Sequence, residues 1–355
     1  MQDIPSPRSG AAAQVTTLQV STILRRRARW GWAEGVFWLA AFAALFLLPE
    51  RHLILNEIAI VGLFALSLDL ILGYAGIVSL GQAAFFGTGA YVAGLLAKHW
   101  TGDPITGMLA AGVVASALGF VTSFLVLRGA DLTRLMVTLG VALMLGELAN
   151  RNAWLTGGAD GLQGVSVNPV FGIFEFDIFG QTAYGYSLCV LFILFLIARR
   201  IVNSPFGLSL LSIRDNALRA RAVGVPVNRR LVAIYTLSAA YAGIAGALLA
   251  QTTQFVSLDV FEFHRSADVL LVLVIGGVGY LYGGLIGAVV FKLLQDVLAG
   301  ITPQYWQFWI GLLLVILVLS GRDSLRERGR ALWRRARRSP EKTGVDAPAN
   351  PVGEA

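Results

Sequence analysis

GYAGIVSLGQAAFFGTGAYVAGLLA, residues 73–97, is apolar and long enough to cross a bilayer. It nevertheless carries six glycines, where a segment that only faced lipid would carry Leu and Val. Glycines let helices pack closely, and they also allow a helix to break so that freed backbone lines a cavity. Packing explains any one of them, but the whole segment favours a solute pathway. The candidate pathway residues are Ser79, Gly81, Gln82, Phe85, Phe86 and Thr88, with the two phenylalanines as an apolar wall or gate.

The rest of the chain has the composition of a polytopic membrane protein. Of its 355 residues 56% are hydrophobic and only 14% are charged, whereas soluble domains are about 45–50% apolar and about 25% charged. Apolar runs of near-spanning length recur between short polar breaks. We therefore expect an all-α transmembrane helical bundle of about ten spans. These are residues 32–48, 54–72, 74–97, 105–127, 133–150, 184–201, 229–250, 266–282, 284–299 and 305–320.

The assignment is weakest at its eighth and ninth spans, and the arginine blocks give its orientation. The glycines of IGGVGYLYGGLIG interrupt the eighth and ninth spans, which are either two helices or one broken or re-entrant element. Arginine blocks lie at 25–29, 199–230 and 322–338. Ten spans place all three blocks on one side, and the positive-inside rule makes that side and both termini cytoplasmic. The net charge of +7 thus reflects topology and does not indicate a nucleic-acid partner.

The predicted organisation has three parts. Residues 1–30 form a cytoplasmic basic N-terminal segment, and residues 323–355 form a cytoplasmic basic, disordered tail. Residues 31–322 form the transmembrane domain, with a cytoplasmic segment at 202–228. The Arg-rich start before an apolar run also resembles a signal peptide, but no A-x-A site precedes a soluble domain, so we expect the first span to be retained.

The cytoplasmic segment contains two helix signals. In RRIVNSPFGLSLLSIRDNALRARAVGVPVNRR, Ser204 and Pro205 predict a helix start. Asp215 is the predicted cap of a second, short, Ala-rich helix that Gly224 and Pro226 end. Such a helix either rests on anionic headgroups or docks in a groove of a cytoplasmic partner, and the residues alone do not separate the two.

Some polar residues fall inside the predicted spans, where they are costly and usually functional. Lys292 and Asp296 are four residues apart on one helix and are predicted to pair with each other. Asp69 and Glu147 lie near span ends, where they are either interfacial or an ion site. The single cysteine, Cys189, lies in an apolar run and is predicted to be a small core residue.

The sequence gives no indication of chemistry. It has no G-x-x-x-x-G-K-[ST] phosphate-binding loop, its three histidines are dispersed, and one cysteine cannot form a metal cluster. We therefore expect no catalytic residue, no metal and no cofactor on this chain, and we expect it not to be an enzyme.

Three motifs in order resemble the LivM-type permease family of bacterial branched-chain amino acid ABC importers. Residues 73–91 resemble the family pattern G-x-x-G-x-x-S-L-G-[HQ]-A-A-F-x-G-x-G-A-Y. SPFGLSLLSIRDNALRARAVGV, from Ser204, resembles its cytoplasmic segment, and RSADVLLVLVIGGVGYLYGGLIGA, from Arg265, resembles its C-terminal glycine motif. The resemblance covers about residues 56–322. Departures from the usual residues are Gln82, Ser212, Leu218, Arg219 and Gly284.

This resemblance implies a division of labour. A periplasmic binding protein would capture solute, and two related permeases in the bacterial inner membrane would form the pathway by alternating access. Two P-loop ATPases would bind ATP and Mg²⁺ and act on the helix at 215–223. The residues so implied in ATPase coupling are Arg214, Asp215, Asn216, Ala217, Ala222 and Gly224.

Alternatives remain open from the sequence. Permeases on this scaffold also carry urea or aromatic and short-chain carboxylates. An ion-coupled secondary transporter would use Asp69 or Glu147, and a structural scaffold would bind no solute.

Overall fold

The computed structural model describes residues 31–319 except 130, 178 and 302. The predicted segments 1–30 and 323–355, with their arginine blocks, lie outside the described residues. The chain divides into two compact units between Asp296 and Val297, and all contacts discussed below lie within the first unit.

The described residues form helices joined by short connections, with isolated bridges but no strand among them. The helices are α1 (Trp32–Leu47), α2 (His52–Leu72), α3 (Gln82–His99), α4 (Pro104–Val126), α5 (Asp131–Arg151), α6 (Ala153–Thr156), α7 (Gln181–Val202), α8 (Pro205–Asp215), α9 (Ala217–Ala222), α10 (Val227–Thr253), α11 (Phe263–Gly276), α12 (Leu281–Ile301) and α13 (Trp306–Leu319). The all-α prediction is confirmed.

Each of the ten predicted spans contains one of these helices. Over the described residues, six helices are long and apolar enough to cross a membrane, namely α2, α4, α5, α7, α10 and α12. Helix α11 has 14 residues, which at about 1.5 Å per residue is about 21 Å, less than a hydrocarbon core of about 30 Å. The count of about ten spans and the cytoplasmic side of the termini therefore stay predictions.

Helix α10 is the centre of the bundle and packs against α2, α3 and α4. Its packing against α3 is close because small residues face each other. A Cβ at Gly89 of α3 would collide with the backbone of Gly243 in α10. Ala90 and Ala242 beside them are fully buried. Some glycines in residues 73–97, such as Gly89, therefore serve helix packing, because only glycine lets two helix backbones come this close.

The third predicted span, 74–97, is wrong at its beginning. Residues 73–81 are not helical, and α3 starts only at Gln82. Gly76 has a φ of +71°, in the left-handed region that glycine adopts without steric penalty. The freed backbone is satisfied locally, since Ile77 N–H donates to Ile71 O at 3.0 Å and Leu80 N–H donates to Thr138 Oγ1 at 3.2 Å. These hydrogen bonds satisfy part of the backbone that a break in a membrane helix frees.

Residues 266–299 form two helices, and whether both of them span the membrane stays a prediction. Helices α11 and α12 are separate, and the connection Gly277–Tyr280 between them turns through two glycines with positive φ, +121° at Gly277 and +77° at Gly279. The chain therefore breaks here a second time, as it does at 73–81.

Two predictions about single residues are wrong. Lys292 does not pair with Asp296; its Nζ lies 2.9 Å from Glu57 Oε2 on α2, while Asp296 lies 3.7 Å from Arg51. Lys292 therefore reaches a carboxylate on the neighbouring α2, and Asp296 reaches the guanidinium of Arg51, which lies in the turn just before α2. Cys189 is exposed, because it lies on an outward-facing turn of α7.

Candidate functional site

The segment between α7 and α10 forms a pair of helices, α8 and α9, joined at Asn216. Ser204 occupies the N-cap position of helix α8 and Pro205 its first helical position, as predicted. The Ser204 hydroxyl makes no capping hydrogen bond, because it donates back to Ile201 O at 2.5 Å. Helix α9 is capped by Asn216, whose Oδ1 accepts from Arg219 N–H at 2.9 Å. The prediction of Asp215 as this cap is therefore wrong by one residue.

Helix α9 presents most of its surface outward. Only Ala220 is buried, whereas Leu218 and Val223 are each 78% exposed. Gly224 ends the helix with a φ of +90°. Leu218 on this six-residue capped helix and Val223 at its C-cap form a small apolar projection, which is the kind of surface that inserts into a partner's groove. Five of the six predicted coupling residues lie on or beside this projection and are exposed, namely Asp215, Asn216, Ala217, Ala222 and Gly224.

Arg214, the last basic residue of α8, joins this helix pair to the broken segment before α3. Its Nη1 donates to Gly73 O at 2.5 Å, and its Nη2 lies 3.4 Å from the carboxylate of Asp215. The guanidinium stem passes over Gly76, where a Cβ would come within 2.8 Å of Arg214 Cγ. The left-handed glycine thus both turns the chain and makes room for this arginine.

Asp69 fixes the second glycine break to the first. Its side chain is fully buried, and Oδ1 accepts from Gly279 N–H at 2.7 Å. A Cβ at Gly73 would collide with this carboxylate and come within 2.5 Å of Gly279 N. We call Asp69, Gly73, Arg214 and Gly279 the loop junction. It brings the end of α2, the end of α8 and both glycine breaks together at one point.

The predicted pathway residues lie inside the chain in this conformation. Gln82 is buried, and its Nε2 donates to Ser238 Oγ on α10 at 2.7 Å and to Ser67 Oγ on α2 at 3.3 Å. The Ser238 hydroxyl in turn donates to Ser67 O at 2.6 Å. Ser79 is also buried, and its Oγ accepts from Gly81 N–H at 3.2 Å. These polar side chains hold the start of α3 to its neighbours.

The remaining candidates on α3 and elsewhere have similar local partners. Phe85 packs edge-on against Tyr235 with ring centroids 5.6 Å apart, and Phe86 is also buried. The Thr88 hydroxyl donates to Ala84 O within its own helix at 2.7 Å. Glu147 is exposed and pairs with Arg151 one turn later, at 3.0 Å. A solute-lining role for Ser79, Gly81, Gln82, Phe85, Phe86 and Thr88 stays a prediction.

The hydrogen-bond partners of Gln82 and Asp69 were not predicted from the sequence. Ser67 and Ser238 were not singled out, because a lone serine in an apolar run gives no pattern. Gly279 belongs to a quoted glycine motif, but nothing in the sequence links it to Asp69, 210 residues away. Such pairings are decided by which helices are neighbours.

Residues 52–318 match the family model described as branched-chain amino acid transport system / permease component. The chain belongs to this family. It is 27% identical over 283 residues to the high-affinity branched-chain amino acid transport system permease protein LivM of Escherichia coli, covering 72% of this chain and 65% of LivM. The Salmonella typhimurium LivM gives the same identity and coverage. The chain is also 27% identical over 276 residues to the fructose import permease protein FrcC of Rhizobium meliloti, covering 75% of this chain and 76% of FrcC. No solved structure matches.

Proposed function

We propose that this chain is the membrane permease subunit of an ABC importer that moves branched-chain amino acids into the cytoplasm. Membership of the permease family and the likeness to two LivM proteins support this assignment. The chain is not itself an enzyme in this proposal. Two ATPase subunits bind ATP and Mg²⁺, a second related permease completes the pathway, and a periplasmic binding protein delivers the solute. The unit lies in the bacterial inner membrane with both termini cytoplasmic.

The observation that carries the mechanism is the contact of Arg214 with Gly73 at 2.5 Å. When the ATPases close on ATP, they push α9, and α8 follows because the two helices are joined at Asn216. Arg214 then pulls on the first glycine break, and the Asp69–Gly279 hydrogen bond carries the displacement to the second.

Both breaks begin helices, so the displacement reaches α3 and α12. Transport needs two conformations that differ in which side of the membrane reaches the solute, and ATP shifts the balance between them. Glycine breaks allow the helices to change direction at fixed points, while the buried contacts of α10 keep the rest of the bundle intact. The loop junction thus converts a displacement of the cytoplasmic helix α9 into a movement of the membrane helices α3 and α12.

The substrate side rests on fewer observations. The chain is also similar to permeases named for fructose and autoinducer 2 import, so we infer that the scaffold suits different polar solutes. Branched-chain amino acids are proposed because the two LivM proteins match over 283 residues each. Urea and short-chain or aromatic carboxylates are the alternatives, and uptake competition by each solute separates them.

Co-purification tests the proposal. The importer is extracted gently with Leu218→Glu and Val223→Glu together on α9. Both side chains are 78% exposed, so we expect the variant to fold, but each charge buried in an apolar contact without a partner costs several kcal/mol. We expect the wild type to retain two ATPase subunits and the variant to lose them at least tenfold.

Asn228→Glu is the matched control, because it adds a charge at an exposed position of the same segment and keeps an acceptor for Arg221, 3.3 Å away. It should retain both ATPases. If the wild type brings down no ATPase, the importer proposal fails. If the α9 variant keeps both ATPases, the importer stands and α9 is not its docking element.

A further inference from the structure

A cavity of about 300 Å³ lies between α1, α2, α7 and α12. On α12 it is lined by Leu285, Val289 and Leu293, which are four residues apart and therefore lie on one face of that helix. From the first of these leucines to the last, α12 rises about 12 Å at about 1.5 Å per residue. The cavity is thus elongated along the helices, and we call it the α1 cavity.

The side chains of α1 leave this space open. Ala40, Ala41 and Ala44 line the cavity along the middle of α1, whereas Leu39 and Phe46 are more than two-thirds exposed on its outer side. The large side chains of this helix therefore point away from the bundle, and its smallest ones face the cavity.

Hydrogen bonds hold α1 in this position. The Tyr184 hydroxyl of α7 donates to Ala41 O at 2.7 Å, and the ring nitrogen Nε2 of His52, at the start of α2, lies 2.9 Å from Leu45 O. Both bonds reach the backbone of α1. Because α7 and α2 each hold this helix, it does not close the cavity by packing more tightly.

The chemistry of the lining selects the kind of molecule that fits. Among the lining residues only Trp38, Arg51 and Tyr184 have polar side-chain atoms, and the Tyr184 hydroxyl is used by α1. An apolar cavity stays dry and takes up apolar molecules, and a zwitterionic solute without polar partners would be costly to bury in it. A volume of about 300 Å³ is at the lower end for small-ligand cavities, so it suits a hydrocarbon chain and not a further helix.

Arg51 adds a positive charge to the lining. It lies in the turn between α1 and α2, where two predicted spans meet the membrane boundary, and 59% of its side chain is exposed. Asp296 approaches the guanidinium only to 3.7 Å, and a guanidinium has five N–H donors with the geometry to bind phosphate by two of them. An apolar space along the helices and a cation at the membrane boundary together match the two parts of a phospholipid.

We propose that the α1 cavity binds one acyl chain of a phospholipid whose phosphate lies at Arg51. The chain completes the packing of α1 against α2, α7 and α12, which the alanines of α1 leave unfinished. This site does not depend on which solute the protein transports. It does bear on the movement of the bundle, because α12, which begins at the second glycine break, forms one wall of the cavity.

Photo-labelling of the wild-type chain tests the site. The chain is placed in liposomes of phosphatidylethanolamine and phosphatidylglycerol, in which the phosphatidylglycerol carries a diazirine in one acyl chain, and adducts are mapped by mass spectrometry. Leu188, Leu191 and Leu285 line the cavity and are at most 5% exposed, so lipid that only surrounds the protein does not reach them. We expect adducts on these leucines and none on Leu66, which is fully buried and does not line the cavity. Adducts confined to exposed residues such as Leu39 overturn the proposal.

Filling the cavity gives a second test. Ala44→Phe places a ring in the cavity, and the matched control is Ala43→Phe, on the neighbouring position that does not line it. The full chain is purified in detergent, and native mass spectrometry counts the phospholipids that stay bound after washing. We expect one per chain in the wild type and the control, and at least fivefold less in Ala44→Phe. Equal retention by the two variants overturns the proposal, and the labelling of the wild type decides the question if Ala44→Phe is not monodisperse.

Arg51→Ala tests the place of the phosphate in the same assay. We expect retention of phospholipid to fall at least threefold, whereas Arg151→Ala, which removes an exposed arginine at the end of α5, should leave it unchanged. Unchanged retention in Arg51→Ala overturns the assignment of the phosphate to this arginine. Detergent bound to the wild type in place of phospholipid, together with unlabelled cavity leucines, overturns the lipid site.

Discussion

Replacing Arg214 by alanine removes the side chain that joins the α8–α9 pair to the first glycine break, and it leaves the α9 projection intact. The lost contact is a charged hydrogen bond from Nη1 to Gly73 O at 2.5 Å. Hydrogen bonds of charged groups contribute about 1.5–3 kcal/mol. Since 38% of the Arg214 side chain is exposed, solvent weakens the contact and we use the lower end, about 1.5 kcal/mol. That energy corresponds to about a tenfold change in the balance between coupled and uncoupled states.

The assay measures two rates on one sample. The importer is reconstituted in proteoliposomes, and ATP hydrolysis and leucine uptake are followed together. We expect Arg214→Ala to keep both ATPase subunits and their hydrolysis, and to lower the uptake per ATP about tenfold. Arg214→Lys should fall between the alanine variant and the wild type, because lysine donates to one acceptor but lacks the planar fork that also lies near Asp215.

The control is Arg229→Ala, which removes the same charge from an exposed position near the start of α10 and should leave uptake per ATP unchanged. The reasoning is refuted if Arg214→Ala transports as well per ATP as the wild type. It is refuted equally if the variant loses its ATPases as the α9 variant does, because Arg214 would then belong to the docking surface and not to the link behind it.

Two further predictions concern the rival transport mechanism and the core. Asp69→Asn keeps an oxygen acceptor for the Gly279 N–H. ATP-driven uptake without an ion gradient should therefore stay within about threefold of wild type. Complete loss of transport would favour ion coupling at this carboxylate. Gly89→Ala adds a Cβ that collides with the backbone of Gly243, and such overpacking costs about 1–3 kcal/mol or more, so the yield of monodisperse protein in size-exclusion chromatography should fall. Gly185→Ala on α7, whose Cβ meets one side chain at 3.7 Å, should not lower this yield; equal yields for the two variants would contradict the close-packing argument.

Much of the fold was predictable because the hydrophobic runs follow from the bilayer itself. All ten predicted spans contain a helix, and the helix start at Ser204–Pro205 and the end at Gly224 follow from local backbone chemistry. The failures lie where glycine removes the local preference. Residues 74–81 read as part of a span because they are apolar, but Gly76 takes a left-handed conformation that no hydropathy pattern reveals.

The site was predictable only in part, and for a related reason. A motif shows that residues matter together but not what each one touches. Gln82 and Ser79 suggested contact with a polar solute, yet in this conformation they bind Ser238 and Gly81 within the chain. A buried amide in a membrane helix needs hydrogen-bond partners in any case. A polar residue in a motif therefore does not distinguish a contact with solute from a contact with a neighbouring helix.

The two kinds of glycine in this chain separate once the neighbours of each are known. Gly89 and Gly73 are required by backbone or side-chain atoms of the same chain that leave no room for a Cβ, so their cause is internal. Gly140 has open space around it, as do Gly35, Gly300 and Gly311, so the packing of the described residues does not require a glycine at these positions. The sequence alone does not distinguish these two kinds of glycine. The tightly packed glycines of residues 73–97 therefore explain how α3 packs against its neighbours and why the chain breaks before it.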